Sequence, residues 1–301
     1  MSKVFNVAVI GCGIGRSHIV EGYLPNADKF KVKVLCDLNA ERMGGLGAEF
    51  GIERRIAGFD DVLAMDDIDI VDICTPPGLH FPMVMAALKA GKHVICEKPL
   101  VGSLAQVDAV MAAEKTSKGM LMPVFQYRFG NGIEQAKAII DAGIAGKPFM
   151  GTVETLWRRD APYYAVPWRG KWATELGGVL MGHAIHPHDL FTYLMGDISN
   201  VFGRVATRVN PIEVEDTISA SLLMKSGALA SLTATLGAAD DTTRIRLAFE
   251  NVMFESDHAA YNPGEKPWKI LPCNHATAAK IYTLLKDWQH VPSRFQTQMA
   301  R

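Results

Sequence analysis

A group of glycines near the amino terminus offers the chemistry of phosphate binding. The apolar residues 4–10 lead directly into Gly11-Cys12-Gly13-Ile14-Gly15, and a helix-compatible segment follows. Glycines here allow a tight turn and let backbone N–H groups approach a pyrophosphate, whose charge a helix N-terminus favours. The third glycine comes one residue earlier than in GxGxxG. Its place between a strand and a helix still predicts a dinucleotide site.

A carboxylate at the end of the second apolar run indicates which dinucleotide binds. Asp37 follows residues 32–36, where an acidic side chain accepts hydrogen bonds from the adenosine ribose hydroxyls. It would repel the 2′-phosphate of NADP, so we expect NAD, with NADP as the weaker alternative. Leu38 is included in this predicted site. A second interpretation is that Asp37 merely caps the helix beginning near Asn39.

Three histidines and an aspartate fall within seven positions: His183, His186, His188 and Asp189. Such side chains are metal ligands, and His183 and His186 would face one direction on a helix. The spacing HxxHxH is not a zinc signature, however. Pro187 is also expected to kink the helix by removing the hydrogen bond to the His183 carbonyl. We therefore predict no metal site.

Alternating strands and helices would hold these groups in place. Short apolar runs predict buried parallel strands at 4–10, 32–36, 70–74, 94–96 and 120–125. Helix-compatible segments lie between them at 14–24, 40–50, 81–90 and 104–116, with Ser103 as an N-cap. This alternation predicts an α/β domain over residues 1–122, with a doubly wound parallel sheet of the Rossmann type.

The rest of the chain, residues 123–301, predicts a second domain of the α+β class. Strand-like segments accumulate at 149–156, 198–207, 217–224, 228–235 and 244–249, after a helix at 132–142. A hairpin is expected to turn at Ser226-Gly227. An antiparallel sheet with one covered face is the expected result.

Composition excludes several classes of protein. A length of 301 residues suits two domains, and no apolar stretch approaches the roughly 20 residues that span a bilayer. A net charge of −1 without Lys/Arg blocks argues against nucleic acid as a partner. Five cysteines without a CxxC pair indicate free thiols, and no signal peptide is evident. We expect a cytoplasmic protein with a small-molecule ligand.

The chain resembles the Gfo/Idh/MocA family, that of glucose-fructose oxidoreductase and inositol 2-dehydrogenase. The matching stretches, in the family's order, are residues 11–18, Asp37, Thr75-Pro76-Pro77-Gly78-Leu79-His80, residues 90–94, Glu97-Lys98-Pro99, and residues 177–189. The resemblance implies a Rossmann domain followed by a substrate domain with a large, open, mainly antiparallel sheet. It also implies a homodimer or homotetramer formed through that sheet.

An activity follows from the same resemblance: hydride transfer between nicotinamide and a secondary alcohol or ketone of a sugar, cyclitol or sugar derivative. Lys98 matches a lysine near the substrate hydroxyl and nicotinamide, where its charge favours alkoxide character. Thr75, Pro76, His80, Glu97 and Lys98 itself join the predicted cofactor site. The structural alternative is an exposed Lys98 paired with Glu97.

The histidine-rich stretch matches a family pattern of an aspartate followed, four residues later, by a histidine. His186 matches the histidine, and we predict that it is the general acid/base because imidazole titrates near neutral pH. Gly182 occupies the aspartate position, so His183 or a water molecule would take the place of the missing carboxylate. Asp189 matches a later aspartate that is usually structural.

Aromatic and arginine side chains at 157–159 and 163–170 supply a predicted substrate lining. Aromatic faces stack on sugar rings, and arginine donors hold hydroxyl or phosphate oxygens. The predicted substrate-contacting residues are Arg128, Tyr164, Trp168, Arg169, His183 and His186. Such residues also pack structural loops, and that interpretation stays open.

Two other functions fit the same motifs. One is a glycosidase that uses NAD transiently, as some relatives of this fold do. The other is a regulator that binds dinucleotide and sugar without turnover, which Gly182 would mark and which Lys98 and His186 argue against. The family usually continues past the position of Arg301 with a further helix, so we expect a clipped carboxyl terminus.

Overall fold

The structure is a computed structural model that describes residues 3–291 and 294–300. The chain forms two compact units. The first holds the residues up to Val124, with Ala173–Leu176 and the chain from Gln298; the second holds Phe125–Trp172 and Gly177–Thr297. A simple division at residue 122 does not anticipate that residues 173–176 pack with the first unit. No described helix has the length and apolar character needed to cross a membrane.

The first unit is built on six parallel strands in the order β3-β2-β1-β4-β5-β6. The strands are β1 Phe5–Ile10, β2 Phe30–Cys36, β3 Arg54–Ile56, β4 Ile70–Ile73, β5 His93–Cys96 and β6 Leu121–Pro123. The strand order reverses between β1 and β4, and open α/β sheets bind ligands at such a point, outside the carboxyl ends of the strands. The predicted Rossmann fold is confirmed.

Helices connect these strands. They are α1 Gly15–Ser17, α2 Ala40–Phe50, α3 Phe59–Leu63, α4 His80–Lys89 and α5 Leu104–Thr116. The chain after α1 continues as a π-helical segment, His18–Tyr23, and then as a 3₁₀ turn, Leu24–Asn26. Ser103 caps α5 as predicted, because its side chain accepts a hydrogen bond from the N–H of Gln106.

The second unit contains seven strands in the order β13-β12-β11-β7-β10-β9-β8. The strands are β7 Pro148–Arg158, β8 Ile198–Ala206, β9 Thr217–Met224, β10 Leu229–Thr235, β11 Gly237–Phe249, β12 Val252–Glu255 and β13 Lys269–Pro272. All neighbours are antiparallel except β7 and β10, which are parallel. The expected mainly antiparallel sheet is confirmed, and its β9–β10 hairpin turns at Ser226 and Gly227.

Six helices occur in the described second part of the chain, and α9 packs against β7 and β11. They are α6 Asn131–Asp141, α7 Ala161–Tyr164, α8 Trp172–Glu175, α9 Ile185–Met195, α10 His275–Leu285 and α11 Arg294–Ala300. Leu190 and Phe191 of α9 are almost fully buried in the core that the sheet residues Val153, Ile245 and Leu247 line. Met150 of β7 and Leu229 of β10, on the opposite face, are exposed.

The structure corrects one expectation about α9. The helix begins at Ile185, so Pro187 lies in its first turn, where a backbone N–H has no partner within the helix. The predicted kink at Pro187 was therefore wrong.

The sequence analysis also missed β3, β12, β13 and α10. β3, β12 and β13 are only three or four residues long, too short to give a clear pattern.

Candidate active site

The glycine turn joins β1 to α1 at the carboxyl edge of the parallel sheet. The N–H of Gly11 donates to the Cys36 carbonyl at 2.7 Å. Gly11 has a φ of +98°, and a Cβ there would lie 2.6 Å from the Cys74 carbonyl oxygen. Only glycine meets both conditions, so this residue lets the turn pass directly over the end of β4.

Gly13 and Gly15 have different surroundings. A Cβ on Gly13 would find only the end of Arg42, at 3.9 Å, whereas one on Gly15 would lie 2.6 Å from Cγ1 of the buried Val9. Gly15 thus permits the close helix–strand contact that the third glycine of the usual motif provides, although it comes one residue early.

Backbone donors at the turn suit an anionic ligand. The N–H groups of Gly13 and Ile14 have no acceptor among the described residues, and the space beside Gly13 is open. Orphan N–H groups at the start of a helical segment are the donors that a pyrophosphate takes. The residues present therefore fit a dinucleotide.

Asp37 orders the turn from the end of β2. Its Oδ2 accepts a hydrogen bond from the N–H of Cys12 at 2.7 Å, and its Oδ1 accepts one from the N–H of Asn39 at 2.8 Å. Asn39, and not Asp37, is the residue whose side chain caps α2. Burial, together with the Asp37 charge, raises the pKa of the Cys12 thiol to about 12, so this thiol stays neutral.

Two neighbours of Asp37 add to the predicted cofactor site. Leu38 is 91% exposed, so its side chain is accessible to a ligand. Nη1 of Arg42 lies 3.8 Å from Oδ2 of Asp37. Sequence reasoning missed Arg42. Its position three residues after the cap Asn39 places it in the first turn of α2, beside the end of β2.

The ring of His80 lies between two backbone carbonyls. Its side chain is fully buried, Nδ1 faces the Pro99 carbonyl at 2.8 Å, and Nε2 faces the Thr75 carbonyl at 2.8 Å. Both ring nitrogens face backbone carbonyls, and a contact of His80 with the cofactor stays a prediction. The ring links the loop after β4 to the loop after β5.

A buried polar cluster that the sequence analysis missed lies beneath the same loops. His18 places Nδ1 2.9 Å from Oδ2 of Asp72 and Nε2 3.0 Å from Oε1 of Glu97. The Tyr23 hydroxyl donates to Asp72 at 2.7 Å. The sequence feature that could have revealed this cluster is Asp72, a charged residue in the middle of an apolar run predicted to be a buried strand.

The cluster shifts the titration of its members. Burial by itself would lower the pKa of His18, but the Asp72 carboxylate outweighs it and the pKa lies well above the ordinary value. Burial and the same carboxylate raise the pKa values of Tyr23 and Cys74. His18, Asp72 and Cys74 form the one group of side chains in the described chain close enough to hold a metal ion. Hydrogen bonds among them already account for their closeness.

Lys98 follows β5 between two anchored neighbours. Its side chain is half-buried, and its backbone N–H donates to Oε2 of Glu97 at 3.0 Å. Thr75 and Pro76 follow β4, the neighbouring strand, so the first unit brings the glycine turn, Thr75 and Lys98 to one edge of its sheet. Their contacts with a cofactor stay predictions.

In the second unit, aromatic rings surround the predicted acid/base. His186 is buried in the first turn of α9 and stacks on Tyr127, with ring centroids 4.4 Å apart and an angle of 22°. The ring of Phe125 meets it edge-on at 5.9 Å. His186 is therefore held in one orientation by packing, and its catalytic role stays a prediction.

His183 lies in different surroundings from His186. It ends the π-helical segment Val179–His183, and its ring lies 6.0 Å from that of Trp157 and 5.4 Å from that of Tyr163. The two histidines thus pack against different aromatic rings.

Arg128 is tied to Asp189. Nε of Arg128 donates to Oδ2 of Asp189 at 2.7 Å, and Nη2 donates to Oδ1. The guanidinium also lies 4.9 Å from the Tyr193 ring centroid. This bidentate pair gives Asp189 a structural role, as the resemblance implied, and leaves substrate contact by Arg128 a prediction.

The aromatic loop packs on its own arginines. The guanidinium of Arg169 lies 3.9 Å from the ring centroid of Tyr163 and 4.4 Å from that of Trp168. The ring of Tyr164 meets Tyr163 edge-on at 5.0 Å. These side chains pack on one another within the loop, and a substrate contact by Tyr164, Trp168 and Arg169 stays a prediction.

Comparisons with known proteins follow the same two-part division. Residues 5–125 match a family described as an oxidoreductase family with an NAD-binding Rossmann fold, and residues 133–255 match the GFO/IDH/MocA C-terminal domain. The predicted fold and the predicted cofactor, NAD, agree with this description. Both matches fall in the order that the motifs predicted.

Individual relatives give the same picture. The chain is 30% identical over 236 residues to an uncharacterized oxidoreductase, YrbE, of Bacillus subtilis, covering 76% of this chain and 67% of that protein. It is 29% identical over 265 residues to levoglucosan dehydrogenase of Pseudarthrobacter phenanthrenivorans, covering 77% and 68%. Among solved structures, the WlbA dehydrogenase of Bordetella pertussis in complex with NADH and UDP-GlcNAcA superposes with a TM-score of 0.84. That match is 27% identical and covers 95% of this chain and 84% of the WlbA chain.

Alanine at Gly13 should affect NADH binding, whereas alanine at Gly15 should affect the free energy of unfolding. Gly13→Ala should weaken NADH binding at least about tenfold, because its methyl group occupies the open space over two N–H donors, and change the free energy of unfolding by under about 0.5 kcal/mol. Gly15→Ala should cost about 1–3 kcal/mol by overpacking Val9. Urea denaturation and NADH fluorescence titration measure the two effects. Unchanged NADH affinity in Gly13→Ala would contradict this account of the turn.

His188 should make the protein less stable in acid. Burial lowers its pKa to about 3, and its Nε2 has no hydrogen-bond partner among the described residues. The unfolded chain takes up this proton near pH 6.5, so stability present above that pH is lost as the pH falls. Between pH 7.5 and pH 5, wild type should lose about 1–2 kcal/mol more than His188→Gln in urea denaturation. Equal losses in the two proteins would refute this.

Proposed function

Because the chain belongs to the Gfo/Idh/MocA family of oxidoreductases, we propose that it transfers hydride between NAD and a secondary alcohol or ketone of a sugar, cyclitol or sugar derivative. The observation that carries this proposal is the position of Lys98. It follows β5 at the sheet edge where the glycine turn leaves two N–H groups of Gly13 and Ile14 for a pyrophosphate.

Gly11, Gly13 and Ile14 would hold the pyrophosphate, and Asp37 the adenosine ribose, with Leu38 beside it. Thr75 and Pro76 would line the nicotinamide ribose from the end of β4. The bound nicotinamide supplies the hydride acceptor or donor. A carboxylate in the position of Asp37 favours the 2′-hydroxyl of NAD over the 2′-phosphate of NADP.

Lys98 and His186 would have separate roles at the reacting oxygen. The Lys98 ammonium donates a hydrogen bond to that oxygen and stabilises its alkoxide character as the C–H bond breaks. His186 takes the hydroxyl proton in the oxidation and returns it in the reduction. Its stacking on Tyr127 supports this role, because a general base must be held in one orientation.

Gly182 occupies the family's aspartate position, so the proposed mechanism has no carboxylate there. His183 follows it directly in the chain and is proposed to contact substrate in place of the aspartate. Without that carboxylate, proton transfer rests on His186, and substrate orientation rests on the proposed contacts of Arg128, Tyr164, Trp168 and Arg169. Sugar-type ligands named for relatives, levoglucosan and UDP-GlcNAcA, support carbohydrate as the substrate class.

We also propose that a second copy of this chain covers the open face of the seven-stranded sheet. The strand registers place apolar side chains in one row across it: Leu271, Met253, Ala248, Met150, Leu229 and Leu223. Met150 and Leu229 are 53% and 61% exposed. Exposed apolar rows of this kind mark protein interfaces.

A cytoplasmic location is part of the same proposal. Five cysteines are free in the structure, and four of them are buried. Free thiols are typical of reducing compartments.

Substitution of the two proposed catalytic groups should remove turnover and leave cofactor binding intact. Lys98→Met and His186→Gln should each lower kcat by about 10²–10⁴-fold, with the NADH Kd within about threefold of wild type. The assay is NADH absorbance over a panel of sugars, inositols and sugar acids, with NADP in parallel. Lys115→Met and His275→Gln, both exposed, are matched controls.

Three results would contradict this function. Full turnover by His186→Gln would remove the proposed acid/base. NADH binding without hydride transfer over the whole panel would favour a regulator. Sugar release without net NADH would favour a glycosidase that uses NAD transiently.

The assembly has its own test. Leu229→Glu should lower the molar mass measured by size-exclusion chromatography with light scattering, because it places a charge in the middle of the apolar row. Leu104→Glu, at an 83% exposed leucine of α5, is the control. A monomeric wild-type protein would end the proposal.

A further inference from the structure

Two buried imidazoles join the end of β4 to the end of β5 on either side of Lys98. The first bridge is His18, which connects the Asp72 carboxylate in β4 to the Glu97 carboxylate directly before Lys98. The second is His80, which connects the Thr75 carbonyl after β4 to the Pro99 carbonyl directly after Lys98. The residues that flank Lys98 are thus each tied, through a ring, to the neighbouring strand.

We propose that His18 and His80 are positioning residues that fix the backbone of Lys98 so that its ammonium meets the reacting oxygen. The inference rests on the proposed function of Lys98 and assigns two further residues to it. Neither ring is a catalytic residue, because both are buried and act through the residues that they bind.

In each bridge, both nitrogens of the ring face an oxygen acceptor. Carboxylate oxygens only accept hydrogen bonds, so the His18 ring holds both of its partners when both nitrogens carry a proton. For His18 the two buried carboxylates stabilise that charge. The raised pKa of His18 agrees with this arrangement.

Glu97 transmits the first bridge to Lys98. Its Oε1 faces His18, and its Oε2 accepts the backbone N–H of Lys98 at 3.0 Å. The carboxylate therefore has one oxygen on the bridge and one on the residue to be positioned. Rotation of Glu97 would break both bonds together, so the backbone at Lys98 is coupled to His18.

A bridge on only one side would leave the backbone at Lys98 free to turn about its other neighbour. The lysine side chain has four rotatable bonds and gains positional accuracy only from a fixed backbone and local packing. A misplacement of about 1 Å can cost about 10²-fold in rate. Two bridges at adjacent residues reduce this freedom.

The test uses His18→Gln and His80→Gln, since glutamine cannot donate to two opposed acceptors in the ring geometry. The matched control is His93→Gln, at the amino end of β5, whose Nδ1 accepts the N–H of Met120. Folding is checked by circular dichroism and by the NADH Kd. We expect kcat to fall about 10- to 100-fold with KM and the NADH Kd within about threefold, and the control to match wild type.

A second readout does not depend on turnover. Reductive methylation with ¹³C-formaldehyde labels the lysines, and the Lys98 signal is the one absent from Lys98→Arg. We expect this signal to move toward the shift of exposed lysines in both bridge variants and to stay in place in His93→Gln. Failure of the wild type to turn over any substrate would refute the proposed function, whereas the Lys98 signal would still test the bridges.

Two outcomes overturn the positioning roles. One is a folded His18→Gln or His80→Gln protein with an unchanged Lys98 signal, whatever its kcat. The other is a fall in NADH affinity as large as the fall in kcat, which indicates a general structural defect. If His18→Gln does not fold, Glu97→Gln replaces it, because it removes the charge facing His18 and keeps the side-chain size.

Discussion

The buried charge of Asp72 is the constraint on which the first unit depends. Its carboxylate has no solvent exposure, and such a group costs several kcal/mol unless it is paired and hydrogen-bonded. His18 and Tyr23 meet this requirement from the helical segment after the glycine turn. That segment must therefore pack over β4. The same packing holds the start of α1, with its free N–H groups, at the carboxyl edge of the sheet.

In the second unit, aromatic packing holds the rings of two histidines. Aromatic rings pack against His183 and His186. Ring packing orients His186, whereas hydrogen bonds to the Asp72 and Glu97 carboxylates orient His18.

The main features of the fold follow from sequence pattern. Buried runs such as residues 7–10 are visible because parallel strands covered on both faces are continuously apolar, and Ser103 marks a helix start because its side chain caps. Short strands escaped for the opposite reason: β3, with the sequence Arg-Arg-Ile, has no apolar run. The kink predicted at Pro187 failed because the effect of proline depends on how far it lies from the helix start.

The sequence by itself predicted the dinucleotide turn and Asp37, because these depend on residue type and on local order along a strand, turn and helix, and the family resemblance added Lys98 and His186 as predictions. Only the tertiary structure showed that His80 faces two carbonyls, that Arg128 is held by Asp189, and that His18 joins Asp72 to Glu97. Each of these contacts links residues far apart in the chain or on separate elements. The physical reason is that hydrogen bonding depends on distances that no local pattern contains. A charged residue within an apolar run indicates that a buried charge needs a partner, and only the fold shows which residue that partner is.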